Sequence, residues 1–161
     1  MHTLIVSLIF LGGTATYIFW RTGRDQGIRR KTIEVADVGK VFRQISAQSV
    51  ETSFAVFAIR TAEEREGDAV EIQYSVEDGR TGLDWILMSP ANIEEMPKVI
   101  QYAASKGVVW QEKEMNDWSY LRIEEGDLVG LCISLIEDLY QVEQVELKYG
   151  GFRYRAWAEW H

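Results

Sequence analysis

Residues 70–88 read VEIQYSVEDGRTGLDWILM, and this stretch decides the fold. Val70, Ile72, Tyr74 and Val76 alternate with Glu71, Gln73 and Ser75, the period-two signature of a strand with one buried face. Asp78-Gly79-Arg80-Thr81-Gly82 supplies turn chemistry, and Leu83 to Met88 is again largely apolar. The segment therefore predicts an antiparallel hairpin. Asp84 stands at the mouth of its second strand, where it is expected to face solvent rather than to serve as a catalytic acid.

Upstream, Ser53 to Arg60 (SFAVFAIR) is apolar on both parities, as a central strand covered on both faces should be. The run EEREGD from Glu63 to Asp68 lacks the ligand spacing of a calcium loop and reads as a solvated turn. Asp37 opens a helical pattern with Val38, Val41, Phe42 and Ile45 on one face. Downstream, a second helix begins either at a Ser89 cap with Pro90 in first position or at an Asn92 cap with Glu95 three residues on. Pro97 predicts a kink or a late start there. Its apolar stripe is Ile93, Met96, Ile100, Ala103 and Ala104, ended by Gly107.

A second hairpin is predicted from 108–114 and 118–123, turning at Asn116-Asp117. Asp127 then caps a third helix, with Leu128, Leu131, Cys132, Leu135, Leu139 and Val142 on one face. The closing stretch VELKYGGFRYRAW predicts a terminal hairpin about Gly150-Gly151 that sets Tyr149 opposite Phe152 and Leu147 opposite Tyr154. The expected class is α+β: a mostly antiparallel sheet with about three helices in the order α-βββ-α-ββ-α, plus the C-terminal hairpin.

The chain before this domain has a different character. Residues 4–20, LIVSLIFLGGTATYIFW, carry no charge. As a helix they would rise about 25 Å, at the short end for a bilayer. From Leu4 to Trp20 the run has the composition of a transmembrane anchor, and Arg21, Arg24, Arg29, Arg30 and Lys31 follow as a basic collar. The division expected is an anchor over 1–20, a basic juxtamembrane linker over 21–32 and a domain over 33–161. A cleaved signal peptide fits less well, because no basic segment precedes the apolar run. A buried hairpin turning at Gly12-Gly13 stays open as an alternative.

Residues 33–161 hold 12 Lys and Arg against 24 Asp and Glu, a balance of −12 within a chain of formal charge −8. Such a domain repels nucleic acid and anionic lipid, while the collar attracts the lipid. With the collar on the cytoplasmic side, a single-pass membrane protein whose C-terminal domain is cytoplasmic is the expectation. Chemistry is sparse. Cys132 is the only cysteine and sits in an apolar stripe, where a buried inert thiol is expected. The two histidines are His2 and His161, and no phosphate-loop, nucleophile-elbow or zinc-ligand spacing occurs. No catalytic residue, cofactor or metal site is expected.

The element order, small size and acidity over residues 33–142 resemble those of type III secretion chaperone-like domains. That resemblance implies a non-enzymatic module that binds other polypeptides and often dimerises. The partners expected are membrane lipid through the N-terminal helix and a protein, basic by charge complementarity, with a homodimer as a further arrangement. An immunity protein that neutralises a basic toxin and an accessory subunit of a membrane complex are the alternatives. The surface expected to meet a partner combines Glu63, Glu64, Glu66 and Asp68 with Trp110, Trp118, Trp157 and Trp160.

Overall fold

The computed structural model describes residues 29–48, 53–60, 69–87, 89–115 and 118–150. They form an α+β fold of three helices and one seven-stranded antiparallel sheet. In chain order the elements are β1 (Arg29–Glu34), α1 (Val38–Gln48), β2 (Phe54–Ile59), β3 (Val70–Glu77), β4 (Arg80–Ile86), α2 (Pro90–Ser105), β5 (Gln111–Met115), β6 (Trp118–Ile123), α3 (Leu128–Ser134) and β7 (Gln144–Gly150). The strands lie in the order β1-β7-β2-β3-β4-β6-β5.

The hairpin of residues 70–88 forms as its pattern requires. Val70, Ile72, Tyr74 and Val76 are buried, Leu83 pairs with Tyr74, and Trp85 pairs with Ile72. Asp78 and Gly79 both take positive φ in the connecting turn, the backbone that a two-residue hairpin needs. β2 sits between β3 and β7 and is buried along its whole length. One face of the sheet packs Ile33, Phe57, Ile72, Tyr74, Trp85, Leu121, Ile123 and Leu147 against the helices. Val38, Val41, Phe42 and Ile45 cover it from α1, with the Phe42 and Tyr74 rings stacked 3.8 Å apart.

Both helix caps follow their sequence signals. The Ser89 hydroxyl accepts from the Asn92 amide at 3.0 Å, with Pro90 in first position, which settles the start of α2. The helix runs through Pro97 to Ser105. Ile93, whose carbonyl loses its helical donor at Pro97, is on the exposed side, so water can take that bond. The Asp127 carboxylate accepts from Gly130 at 2.8 Å at the start of α3. Beyond Ser134 the helix continues as a π-helical segment, Leu135–Leu139, capped by Tyr140, and Gln141 follows at φ 56°.

The structure corrects the sequence reading at four places. Arg29, Arg30 and Lys31 are not linker: they belong to β1, which pairs with β7 from Arg29↔Tyr149 to Glu34↔Gln144. A strand of composition RRKTIE shows only one strongly apolar residue, and its partner lies over 100 positions away, so local pattern could not reveal it. The terminal hairpin is the second case. β7 has β1 on one edge and β2 on the other, so neither edge is left for the strand predicted after Gly150. The residues of that predicted strand lie outside the described ones. Third, α2 buries Asn92, Val99 and Ala103, whereas Ile93, Ile100 and Ala104 of the predicted core stripe are exposed. Fourth, Asp84 is buried, as described below. Among the described residues no helix is long and apolar enough to cross a membrane. The run 1–20 and the anchor and collar residues Leu4, Trp20, Arg21 and Arg24 lie outside them.

Candidate functional site

Two features of the described residues stand apart from the apolar core, one buried and one exposed. The first lies on the sheet face away from the helices. Strand register there aligns one row across all seven strands: Arg30, Lys148, Val56, Gln73, Asp84, Arg122 and Gln111. Asp84 and Arg122 are its centre, 2% and 1% exposed. Each comes from a different hairpin, and alternation along β4 and β6 turns both side chains to this face while Leu83, Trp85, Leu121 and Ile123 turn to the core.

The Arg122 guanidinium has a partner at each nitrogen. Its Nη1 donates to Asp84 Oδ1 at 2.5 Å and to Ser75 Oγ at 3.0 Å. Its Nη2 donates to the Arg80 carbonyl at 3.1 Å, and its Nε to Glu124 Oε1 at 2.8 Å. Ser75 in turn donates to Asp84 Oδ2 at 2.5 Å, with Gln73 Nε2 at 3.4 Å from the same oxygen. Lys113 on β5 bonds Glu124 at 2.7 Å, and Tyr120 donates to Glu77 at 2.8 Å. Arg80, Lys113 and Arg122 thus balance Glu77, Asp84 and Glu124. Burial pushes the Asp84 carboxyl above the ordinary range, and Arg122 and Ser75 pull it back only in part. Lys113 and then Arg122 hold Glu124 down at about 2, against the burial of its carboxyl. Burial and the Glu77 carboxylate push the Tyr120 hydroxyl up. These groups turn towards one another and stitch β3, β4, β5 and β6 together.

The second feature is the outer side of α2. Asn92 fixes the helix: its side-chain amide accepts from the Glu71 N–H at 2.9 Å and donates to the Glu71 carbonyl at 2.8 Å. It thereby continues the β3 ladder where β4 has departed, since Ile72↔Trp85 is the last pair of that ladder. Trp85 Nε1 donates to the Asn92 carbonyl at 2.9 Å. Held in this way, α2 turns Ile93, Pro97, Ile100 and Ala104 outward at spacings of four, three and four, one ridge on a helix. Ile93 is 52% exposed and Ile100 40%. Beyond the helix, Val109 is 79% exposed. Lys98 pairs with Glu95 at 3.0 Å, and Lys106 with Asp138 at 3.6 Å, beside the ridge.

Of the predicted partner-binding residues, Trp110 is 9% exposed and belongs to the core, so it offers little surface to a partner. Trp118 opens β6 opposite Met115. Glu63, Glu64, Glu66, Asp68, Trp157 and Trp160 lie outside the described residues. Cys132 is buried, and burial pushes its thiol up. Among the described residues no cluster of His, Cys, Asp or Glu could hold a metal ion. The sequence reading missed both the Asp84–Arg122 centre and the α2 ridge. Parity alone could have put Gln73, Asp84 and Arg122 on one sheet face, and the doubly apolar character of α2 could have pointed to a ridge. No family model, characterised protein or solved structure matches this chain.

Proposed function

We propose that the chain is a membrane-anchored protein-binding module without catalytic activity, chaperone-like or regulatory, whose acidic domain faces the cytoplasm. The observation that carries the reading is the α2 ridge, four apolar side chains turned out from a domain that closes its core without them. Solvated Ile93 and Ile100 cost free energy that burial against a partner would recover, about 25 cal/mol for each Å² covered. The anchor rests on the uncharged run 4–20 and the basic residues that follow it. With β1 starting at Arg29, the linker shortens to residues 21–28.

The test is photo-crosslinking from position 97 of the full chain in intact cells, followed by alkaline carbonate extraction of the membranes. A discrete protein adduct that stays in the membrane pellet is expected. Recovery of the full chain in the soluble fraction would remove the anchor, and absence of any adduct would remove the binding role.

A further inference from the structure

We infer that the α2 ridge docks antiparallel onto the same ridge of a second copy of this chain; the inference rests on the protein-binding reading above and names the occupant of that surface. Three observations fit a second copy in this arrangement, and the second of them disfavours a basic protein or a lipid surface.

The first is shape. Ile93, Pro97, Ile100 and Ala104 span about 17 Å of helix. A two-fold axis passing between residues 98 and 99 sets Ile93 against Ala104 of the copy and Pro97 against Ile100. Each end of the ridge thus meets its complement, a large side chain against a small one. A parallel arrangement would instead set Ile93 on Ile93 and leave a gap at Ala104.

The second is charge. The domain is strongly acidic, yet α2 and its cap carry Glu94 and Glu95 against Lys98 and Lys106. Lys98 and Lys106 are already engaged by Glu95 and Asp138. The ridge therefore has no excess charge with which to select a basic partner, and a domain of this sign repels anionic lipid. It is a place where two acidic domains can approach.

The third is the rim. Glu94 and Gln101 are exposed on the same side of the ridge. Antiparallel docking brings the Gln101 amide of one copy towards the Glu94 carboxylate of the other, a donor against an acceptor. Parallel docking would carry the two Glu94–Gln101 pairs to opposite rims and form no such contact.

The contact is small, one helix face on another, so self-association is weak in dilute solution and gains from confinement to one membrane. The experiment is sedimentation equilibrium of the full chain in neutral detergent, with a size swap as the register test. Ile93→Ala and Ala104→Ile alone should each weaken association about tenfold, and the double variant should recover it. Both positions are exposed, so circular dichroism should show all three variants folded. Association should tighten from low to high salt as the −8 charge of each copy is screened; a basic partner would show the reverse. A monomer at every concentration, or single variants that associate as the parent does, would overturn the proposal. If the chain is monomeric while position 97 still gives an adduct with another protein, this inference falls and the protein-binding reading stands. If there is neither dimer nor adduct, both fall.

Discussion

Arg122 on β6 lies in the space that a side chain at position 82 on β4 would need. A Cβ built on Gly82 would overlap the Arg122 guanidinium carbon and two of its nitrogens. Gly82 carries no positive φ, so the glycine is required for room rather than for backbone freedom. Gly82→Ala should therefore displace the guanidinium from Asp84 and Ser75 at once. We expect a loss of about 3 kcal/mol or more in urea unfolding, above the range for ordinary overpacking. A loss below 1 kcal/mol would show that Arg122 has another place to go.

The Asp84–Arg122 pair should be costly to break and cheap to replace. Arg122→Met leaves a carboxylate buried without its cation, and Asp84→Leu strands the guanidinium; each should cost about 3–5 kcal/mol. The double variant should lose far less than the two losses added, giving a strong coupling in a double-mutant cycle. Additive losses would mean that Ser75, Glu77 and Glu124 already satisfy whichever partner remains.

Glu124 gives the network its acid limit. Its folded-state carboxyl is held at about 2, below the ordinary value of 4.5, by Lys113 and Arg122. A depressed carboxyl contributes stability that is complete above the unfolded-state value and is lost as pH falls towards the folded one. Unfolding free energy should therefore decline from about pH 4.5 to pH 2, and Glu124→Gln should flatten that part of the profile. Asp84 has the opposite sign, since its carboxyl is raised by burial, so it cannot produce this decline. An unchanged acid slope in Glu124→Gln would assign the decline elsewhere.

Asn92→Ala should cost about 2–4 kcal/mol, because it leaves both the N–H and the carbonyl of Glu71 without partners. Asn92→Asp keeps the acceptor for the Glu71 N–H but sets a second acceptor against the Glu71 carbonyl. It should recover less than half of that loss at neutral pH. Hydrogen exchange at Glu71 and along the start of α2 gives the local readout. Full recovery in the aspartate variant would show that the carbonyl is satisfied by water.

Cys132 is fully buried on α3, with its thiol pushed up by desolvation. A thiol reagent should label the native chain at least about a thousandfold more slowly than the denatured one. Fast labelling of the native chain would reveal an α3 that opens without global unfolding.

These residues also mark what the sequence could and could not disclose. The alternation of Val70 to Val76, the Ser89 and Asp127 caps and the doubly apolar SFAVFAIR are local signals, and each is read within a few residues. The Asp84–Arg122 pair is not local: it needs the β4–β6 register, which joins residues 38 apart. α2 presents two apolar faces, and the choice between them is made by Asn92 binding Glu71, 21 residues upstream. The glycines at 150 and 151 favour a local turn, yet the edges that turn would have used are occupied by β1 and β2. In each failure a long-range partner overrode a short-range preference.

The position of β7 also fixes an order of events during synthesis. Of the described strands β1 is the first to leave the ribosome, but its ladder partner is β7, the last of them. β2 to β6 can pair among themselves through β3 and β4 as soon as residue 123 has emerged. Arg29–Glu34 must wait until Gly150 has been made, because β7 is inserted between β1 and β2. A stalled or truncated chain lacking β7 would therefore expose two unmatched strand edges at once, at β1 and at β2, and would be a substrate for quality control rather than a slightly shortened protein.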